Sequence, residues 1–386
     1  MLALTLAAAL LAPAIPAQDA ASAIARVERG IPADTGLAGL TIEALLKRFN
    51  VPGISIAVVR DFTVLWSKGY GVADAESGKP VDVNTAFQAA SISKPIAAMA
   101  AVKLSQDGKL NLDGDVNAVL RSWKVPASEL TQAQPVTPRS LMSHTSGSDD
   151  GFGFPGYDPA GPMPTPVQVI NGEKPSNVGV VKFGRPPYVA AKYSGGAVTI
   201  MQVALADIAK KPFAEFMQST ILGPLGMTGS SYQQPPNPAW EPRLARAHGG
   251  DGKRRAAPWH TYPEQAAAGL WTTPTDLAKA MIEVQTAIRG QKGAVLTQHG
   301  AREMLTPIGA GPFAVGFQIA QRGEGWYFMH GGANWGFRCN LVGHFRKGYG
   351  VVVMTNGDNG GLVMREIESR VAAAYAWDML DKPLPR

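Results

Sequence analysis

The chain has 386 residues, of which 45% are hydrophobic and 17% charged, with 43 glycines and 30 prolines. It is long enough for a large core, as one domain or two lobes, and its glycine and proline content favours turns and long loops over a helical bundle. The formal charge of +6 is spread along the chain, Lys253-Arg254-Arg255 being its densest run; no nucleic-acid motif accompanies it, so it is read as solvation.

Leu2 to Ala17 is uncharged and rich in Ala and Leu, and Gln18-Asp19 follows. Residues 1–17 are therefore expected to be a signal peptide, which places the protein in the periplasm or outside the cell. The stretch lacks the usual basic start, which leaves open a truncated start or a lipid-facing anchor. It is short and proline-interrupted for a membrane span. Cys339 is the single cysteine, which leaves neither an intrachain disulfide nor a cysteine metal site.

Leu40 to Phe49 has helical spacing. Ile54–Arg60 and Thr63–Gly69 read as a β-hairpin turning at Asp61-Phe62. Helical segments dominate from Ser91 to about Ile208, interrupted by a Gly/Pro-rich loop at Gly151–Thr165, which is expected to be functional or mobile. Phe313–Gln321, Gly325–Met329, Phe337–Phe345 and Gly350–Thr355 read as four strands, and Leu362–Leu380 as a closing helix. Thr273-Pro274-Thr275-Asp276 reads as a helix start, with Thr273 as cap. The expected fold is α+β: an antiparallel β-sheet built from both chain ends and flanked by helices, plus an all-helical lobe. Residues 18–386 form one domain, with the sheet lobe at about 38–85 and 260–386 and the helical lobe at about 86–259.

The stretch that carries chemistry is Phe87–Met99. Ser91 and Lys94 stand three apart, and positions i and i+3 share a helix face, so hydroxyl and amine can meet. Ser91 would lie in the first helical turn, where free N–H groups and the positive dipole end favour a developing anion. Pro95 fits a first turn. A serine needs such a neighbour to act as a nucleophile. The alternative at this level is a helix cap followed by a solvated lysine.

Seven segments in order extend the pattern: Val51-Pro52-Gly53, Phe87–Pro95, Gly108–Asp113, Ser143–Gly147, Tyr193–Gly196, Pro224–Met227 and His330-Gly331-Gly332. Together they resemble the β-lactamase-related serine hydrolases, a family that takes in class C β-lactamases, DD-peptidases and esterases; the likeness runs from about residue 38 to 380. The resemblance implies the β-lactamase/transpeptidase fold and three motifs facing one cleft: Ser91 and Lys94, then Tyr193-Ser194-Gly195, then His330-Gly331-Gly332 on an edge strand. It implies that Ser91 attacks a carbonyl while Lys94 and Tyr193 carry its proton. The backbone N–H groups of Ser91 and Ala333 would form an oxyanion hole, and His330, Gly331, Gly332, Asn334 and Trp335 would bind substrate. Neither a cofactor nor a metal is called for. For Lys94 to act as a base, burial must lower its pKa. Glycines at 331 and 332 would let the strand approach substrate closely; a β-bulge is the alternative.

Two departures bear on substrate. Gly195 stands where an asparagine would bind an acylamino side chain, and His330 where a lysine would hold a carboxylate. Imidazole, with an ordinary pKa near 6.5, is mostly neutral at working pH and is expected to donate one hydrogen bond. Carboxylic esters are therefore expected ahead of β-lactams or D-amino-acid peptides as the small-molecule substrate. A catalytically silent penicillin-binding-like sensor is disfavoured because Ser91, Lys94 and Tyr193 are all present. No Gly-x-Ser-x-Gly occurs, against an α/β-hydrolase. His144 is read as structural, and His248, His260, His299 and His344 lack metal-ligand spacing. Phe152, Phe154, Tyr157 and Trp335 are candidates for the cleft wall, with core packing or loop anchoring as the alternative.

Overall fold

A computed structural model describes residues 17–30, 36–150 and 153–379. Phe152 and the expected signal segment fall outside them, except for Ala17, where α1 (Ala17–Arg29) begins. The hairpin forms as read: β1 (Gly53–Arg60) and β2 (Thr63–Asp74) pair in antiparallel register from Gly53↔Gly71 to Arg60↔Thr63. Asp61 and Phe62 both take left-handed φ, 52° and 60°, as a tight two-residue hairpin turn requires. That conformation is costly outside glycine. Here Phe62 is held by its N–H donating to Gly348 O at 2.9 Å and by Arg289 lying 4.2 Å over its ring.

The remaining strands are β3 (Lys79–Pro80), β4 (Phe87–Gln88), β5 (Trp271–Thr272), β6 (Gln318–Arg322), β7 (Gly325–Asn334), β8 (Phe337–His344) and β9 (Gly350–Thr355). The main sheet is antiparallel, in the order β3-β2-β1-β9-β8-β7-β6. β1 meets β9 through Ile54↔Thr355 to Val59↔Gly350, so the two ends of the chain share one sheet. Successive side chains point to opposite faces. Ile54, Ile56 and Val58 pack with α2 (Ile42–Phe49), which Thr41 caps, while Ala57 and Val59 join the other core.

The helical part comprises α3 (Ser93–Gln106), α4 (Glu129–Ala133), α5 (Pro138–Met142), α6 (Pro166–Asn171), α7 (Gly195–Ala209) and α8 (Phe213–Met217). Then come α9 (Gln265–Ala268), α10 (Pro274–Ile288), α11 (Gln298–Leu305) and α12 (Gly360–Ala374). α10 covers one face of the sheet and α12 the other, which is why β1 is buried on both sides.

Several boundaries differ from the sequence reading. Residues 172–194 are not helical: Gly172 ends α6 at φ 65°, and Pro175, Pro186 and Pro187 lack the N–H a helix needs. β6 starts at Gln318 rather than Phe313, and α12 stops at Ala374. β6 covers β7 only from Gly325 to Met329, so residues 330–334 of β7 have no strand on that side. The loop after residue 152 is pinned, not free: Phe154 is buried, and Tyr157 exchanges hydrogen bonds with Thr261 at 2.8 and 2.9 Å.

The α10 start forms as read, with Thr273 Oγ1 accepting from Asp276 N–H at 3.2 Å. Asp276, itself buried, accepts from Gly229 N–H at 2.7 Å and Ser230 Oγ at 2.8 Å. Asp276→Ala leaves the buried Gly229 N–H without its acceptor, while Ser230 Oγ keeps Thr272 Oγ1 at 2.7 Å, and a loss of about 2 kcal/mol in urea unfolding is expected. A loss under about 1 kcal/mol would show that the Asp276 carboxylate does not tie the Gly229-Ser230 turn to α10.

Candidate active site

Ser91 lies in a 3₁₀ turn, Ala90–Ile92, immediately ahead of α3, one turn earlier than the sequence suggested. Ala90 is left-handed at φ 46°, an unusual state for alanine that costs about 1–3 kcal/mol. The turn is held from several sides. Ala89 N–H donates to Leu270 O at 2.8 Å, Leu270 N–H to Ser93 Oγ at 3.0 Å, and the Tyr232 hydroxyl to Ser93 O at 2.7 Å.

Lys94 is 2% exposed. Its Nζ donates to Ser91 Oγ at 2.9 Å and to Ala267 O, in α9, at 2.8 Å. The i, i+3 pairing expected of these two residues is therefore made. Tyr193 is half-buried next to Ser194, the cap of α7, and its ring centroid lies 4.9 Å from Lys94 Nζ. Its hydroxyl makes no hydrogen bond to the described residues.

Ser91 and Tyr193, but not the buried Lys94, line a cleft of about 570 Å³. Ser91, Tyr193, Phe313 and His330 to Ala333 form its catalytic end; Asn340, Met364, Arg365 and Glu368 form the other. Gly153 lines it, whereas Phe154, Tyr157 and Trp335 do not. Both residues expected to supply oxyanion-hole N–H groups, Ser91 and Ala333, border it.

β7 runs from His330 to Asn334 without a bulge. At Gly332 a Cβ would lie 2.4 Å from Ala89 O and 2.4 Å from Cys339 Sγ, so the bare backbone serves the turn that carries Ser91 rather than the substrate. At Gly331 the nearest atom would be Asn340 Oδ1, at an ordinary 3.7 Å.

His330 is buried, and Nδ1–H donates to Gly331 O at 2.7 Å. The remaining nitrogen, Nε2, is a buried, unpartnered acceptor. Burial, with the Lys94 charge added, pushes the ring pKa down to about 3. The ring is thus neutral over any working pH, and its single N–H is already used. The expectation that it would donate to substrate, with a titration near neutrality, is overturned.

Residues 40–376 match the β-lactamase family profile. The chain belongs to the β-lactamase family. It is 24% identical over 330 residues to Protein flp of Staphylococcus aureus (strain N315), covering 82% of this chain and 61% of that one. Its fold matches D-amino acid amidase from Ochrobactrum anthropi SV3 (TM-score 0.69, 21% identity, 93% and 98% of the two chains). It also matches D-alanine carboxypeptidase AmpC from Burkholderia cenocepacia (0.68, 18%, 93% and 100%). The family is one of serine hydrolases related to penicillin-binding proteins.

Within this β-lactamase-family cleft, two expected substrate contacts are structural instead. Asn334 is buried and donates from Nδ2 to Gln88 Oε1 at 2.8 Å and Ala268 O at 3.0 Å. It shares the inward pleat of His330 and Gly332, where Gln88 waits to pair it. Trp335, beyond the strand, stacks on His260 at 3.9 Å under the Arg255 guanidinium. Gly195 heads α7 and is buried away from the cleft.

The sequence reading missed Arg365 and Glu368. With Gly361 and Met364 they lie at i, i+3, i+4 and i+7 along α12, one helical face turned to the cleft. Arg365 is exposed. Glu368 is buried, accepts from Asn340 Nδ2 at 2.5 Å and lies 3.8 Å from Arg322. Burial raises its pKa against the pull of that bond and the arginines.

Two outcomes are expected from this geometry. Gly332→Ala should abolish turnover, because a backbone oxygen must move, while Gly331→Ala stays near wild type in kcat/KM; equal effects would contradict the close approach. For His330, the folded pKa lies below the unfolded value of about 6.5, so the unfolded chain binds the proton more readily. The stability it contributes is whole above about pH 6.5 and is lost as pH falls toward about 3. Urea titrations at pH 5 to 7 should show His330→Gln with a slope shallower than wild type, by about 1.3 kcal/mol per pH unit near pH 5 and fading to a few tenths at pH 7. Parallel slopes would mean that the ring is not buried and neutral.

Proposed function

We propose that the protein is an exported serine hydrolase that works through an acyl-enzyme on Ser91 and prefers small carboxylic esters. The observation that carries the reading is Lys94 Nζ, buried, 2.9 Å from Ser91 Oγ at the catalytic end of an open cleft. Ser91 Oγ bonds to the substrate carbonyl carbon while its proton passes to the Lys94 amine, with the Tyr193 hydroxyl sharing the transfer. N–H groups of Ser91 and Ala333 hold the oxyanion. Collapse breaks the bond to the leaving alcohol or amine, which departs with that proton. Water then repeats the sequence at the acyl carbon and frees the acid and Ser91.

Esters are favoured because the cleft's catalytic end offers His330 as an uncharged ring. One observation favours a second reading. Arg365 brings an exposed guanidinium to the same cleft, suited to a substrate carboxylate such as that of a β-lactam or a D-amino-acid peptide. The relatives described as D-alanine carboxypeptidase and D-amino acid amidase lend it support. Export rests on the uncharged Ala/Leu segment at residues 2–17, and cell fractionation tests it.

A panel of short-chain p-nitrophenyl esters, a chromogenic cephalosporin and a D-alanyl-D-alanine peptide decides the substrate. Ser91→Ala should abolish every activity, and full activity in that variant ends the mechanism. The ester is expected to exceed the others in kcat/KM by about tenfold, and Arg365→Ala to leave it unchanged. A cephalosporin or D-alanyl peptide that outpaces the ester and falls about tenfold in Arg365→Ala replaces the first reading with the second.

A further inference from the structure

We propose that His144 is the positioning residue for Tyr193, gripping the chain on both sides of it and fixing its ring beside Lys94. The inference rests on Tyr193 sharing the proton transfer. His144 O accepts from Lys192 N–H at 2.8 Å, and His144 Nδ1 accepts from Ser194 N–H at 3.1 Å. The two bonds bracket Tyr193 in sequence. Between them the imidazole lies against the tyrosine ring, centroids 4.4 Å apart, and Phe313 meets the imidazole at 4.7 Å and the tyrosine at 6.0 Å. The hydroxyl of Tyr193 has no hydrogen bond of its own to the described residues, so its place is set by backbone and ring contacts, and His144 supplies both.

The residue carries two local costs that filling space does not explain. Its backbone is left-handed at φ 61°, a state worth about 1–3 kcal/mol against a non-glycine residue. Because Nδ1 accepts a backbone N–H, the ring's proton sits on Nε2, which is buried without a partner. A buried unsatisfied donor costs about 1–3 kcal/mol. An aliphatic side chain would avoid the second cost, yet it could not accept from Ser194. The neutral state that this bond needs is favoured first by burial and then by the charge of Lys94.

The test uses the rate at which a fluorophosphonate labels Ser91, followed by intact mass, with folding checked by circular dichroism. His144→Asn keeps an acceptor near the Nδ1 position and a residue tolerant of left-handed backbone. His144→Gly keeps the backbone state and loses both acceptor and ring. In the wild-type background the glycine variant should label roughly 10- to 100-fold more slowly, as misplacement of a reacting group does, and the asparagine variant should recover most of the loss. In the Tyr193→Phe background the same substitution should cost less than about threefold, since the group it positions is gone. Equal losses in both backgrounds, or an asparagine variant no faster than glycine, would overturn the proposal. Should the glycine variant not fold, the asparagine variant decides: a rate below a tenth of wild type that persists in Tyr193→Phe overturns it. A wild-type protein that is not labelled at all overturns this inference together with the reading of Ser91 as nucleophile.

Discussion

The site hangs on one buried amine with two acceptors. Lys94 Nζ reaches the Ser91 hydroxyl and a carbonyl in α9, so the Ser91–Lys94 pair is placed only if α9 is placed. Gln202, from the middle of α7, does that work at both ends. Its Nε2 donates to Pro263 O at 2.9 Å and its Oε1 accepts from Ala266 N–H at 2.9 Å. α7 is also the helix whose start follows Tyr193. Gln265 then donates to Tyr232 O, and the Tyr232 hydroxyl returns to Ser93 O beside Lys94. Ser91 and Lys94 are thus tied to α9 and α7 through connected polar bonds, and Tyr193 joins them through the backbone that leads into α7.

A second constraint comes from the sheet. β7 presses against the turn that carries Ser91 so closely that only glycine fits at 332, and Cys339 Sγ donates to Ala89 O at 2.9 Å from the neighbouring strand. The left-handed backbone of Ala90 sits at this contact. Strain in the residue ahead of Ser91 is therefore held in place by the sheet on one side and by Leu270 and Tyr232 on the other. The Gly332→Ala outcome follows from the same crowding.

What was legible in the sequence was local or periodic. The β1–β2 turn, the Thr273 cap and the β9 strand each depend on a handful of neighbouring residues, and each stands where it was expected. The Ser91–Lys94 pair was legible because helical spacing brings i and i+3 together. Asn334 and Trp335 were misjudged for a physical reason: following a motif along a strand says nothing about which pleat a side chain occupies, and period 2 sends Asn334 inward to Gln88. Arg365 and Glu368 were invisible because α12 reaches the cleft only through the packing of the whole sheet. His330 is neutral as expected, but its single N–H is spent on Gly331 O, a local backbone contact that residue type does not reveal.

That last point fixes where a substrate's charge can go. Lys94 lowers the pKa of both His144 and His330, on top of the larger effect of their burial. A proton on either ring would add a second positive charge within a water-poor site, and low effective dielectric makes such a pair expensive. The catalytic end therefore keeps its two imidazoles neutral and leaves the β7 edge without a fixed cation. The positive charge open to a bound ligand lies instead on α12, at Arg365, where Glu368 and Arg322 stand nearby. The cleft is thus uncharged where β7 lines it and cationic where α12 lines it, a polarity set by which helix face the sheet turns inward.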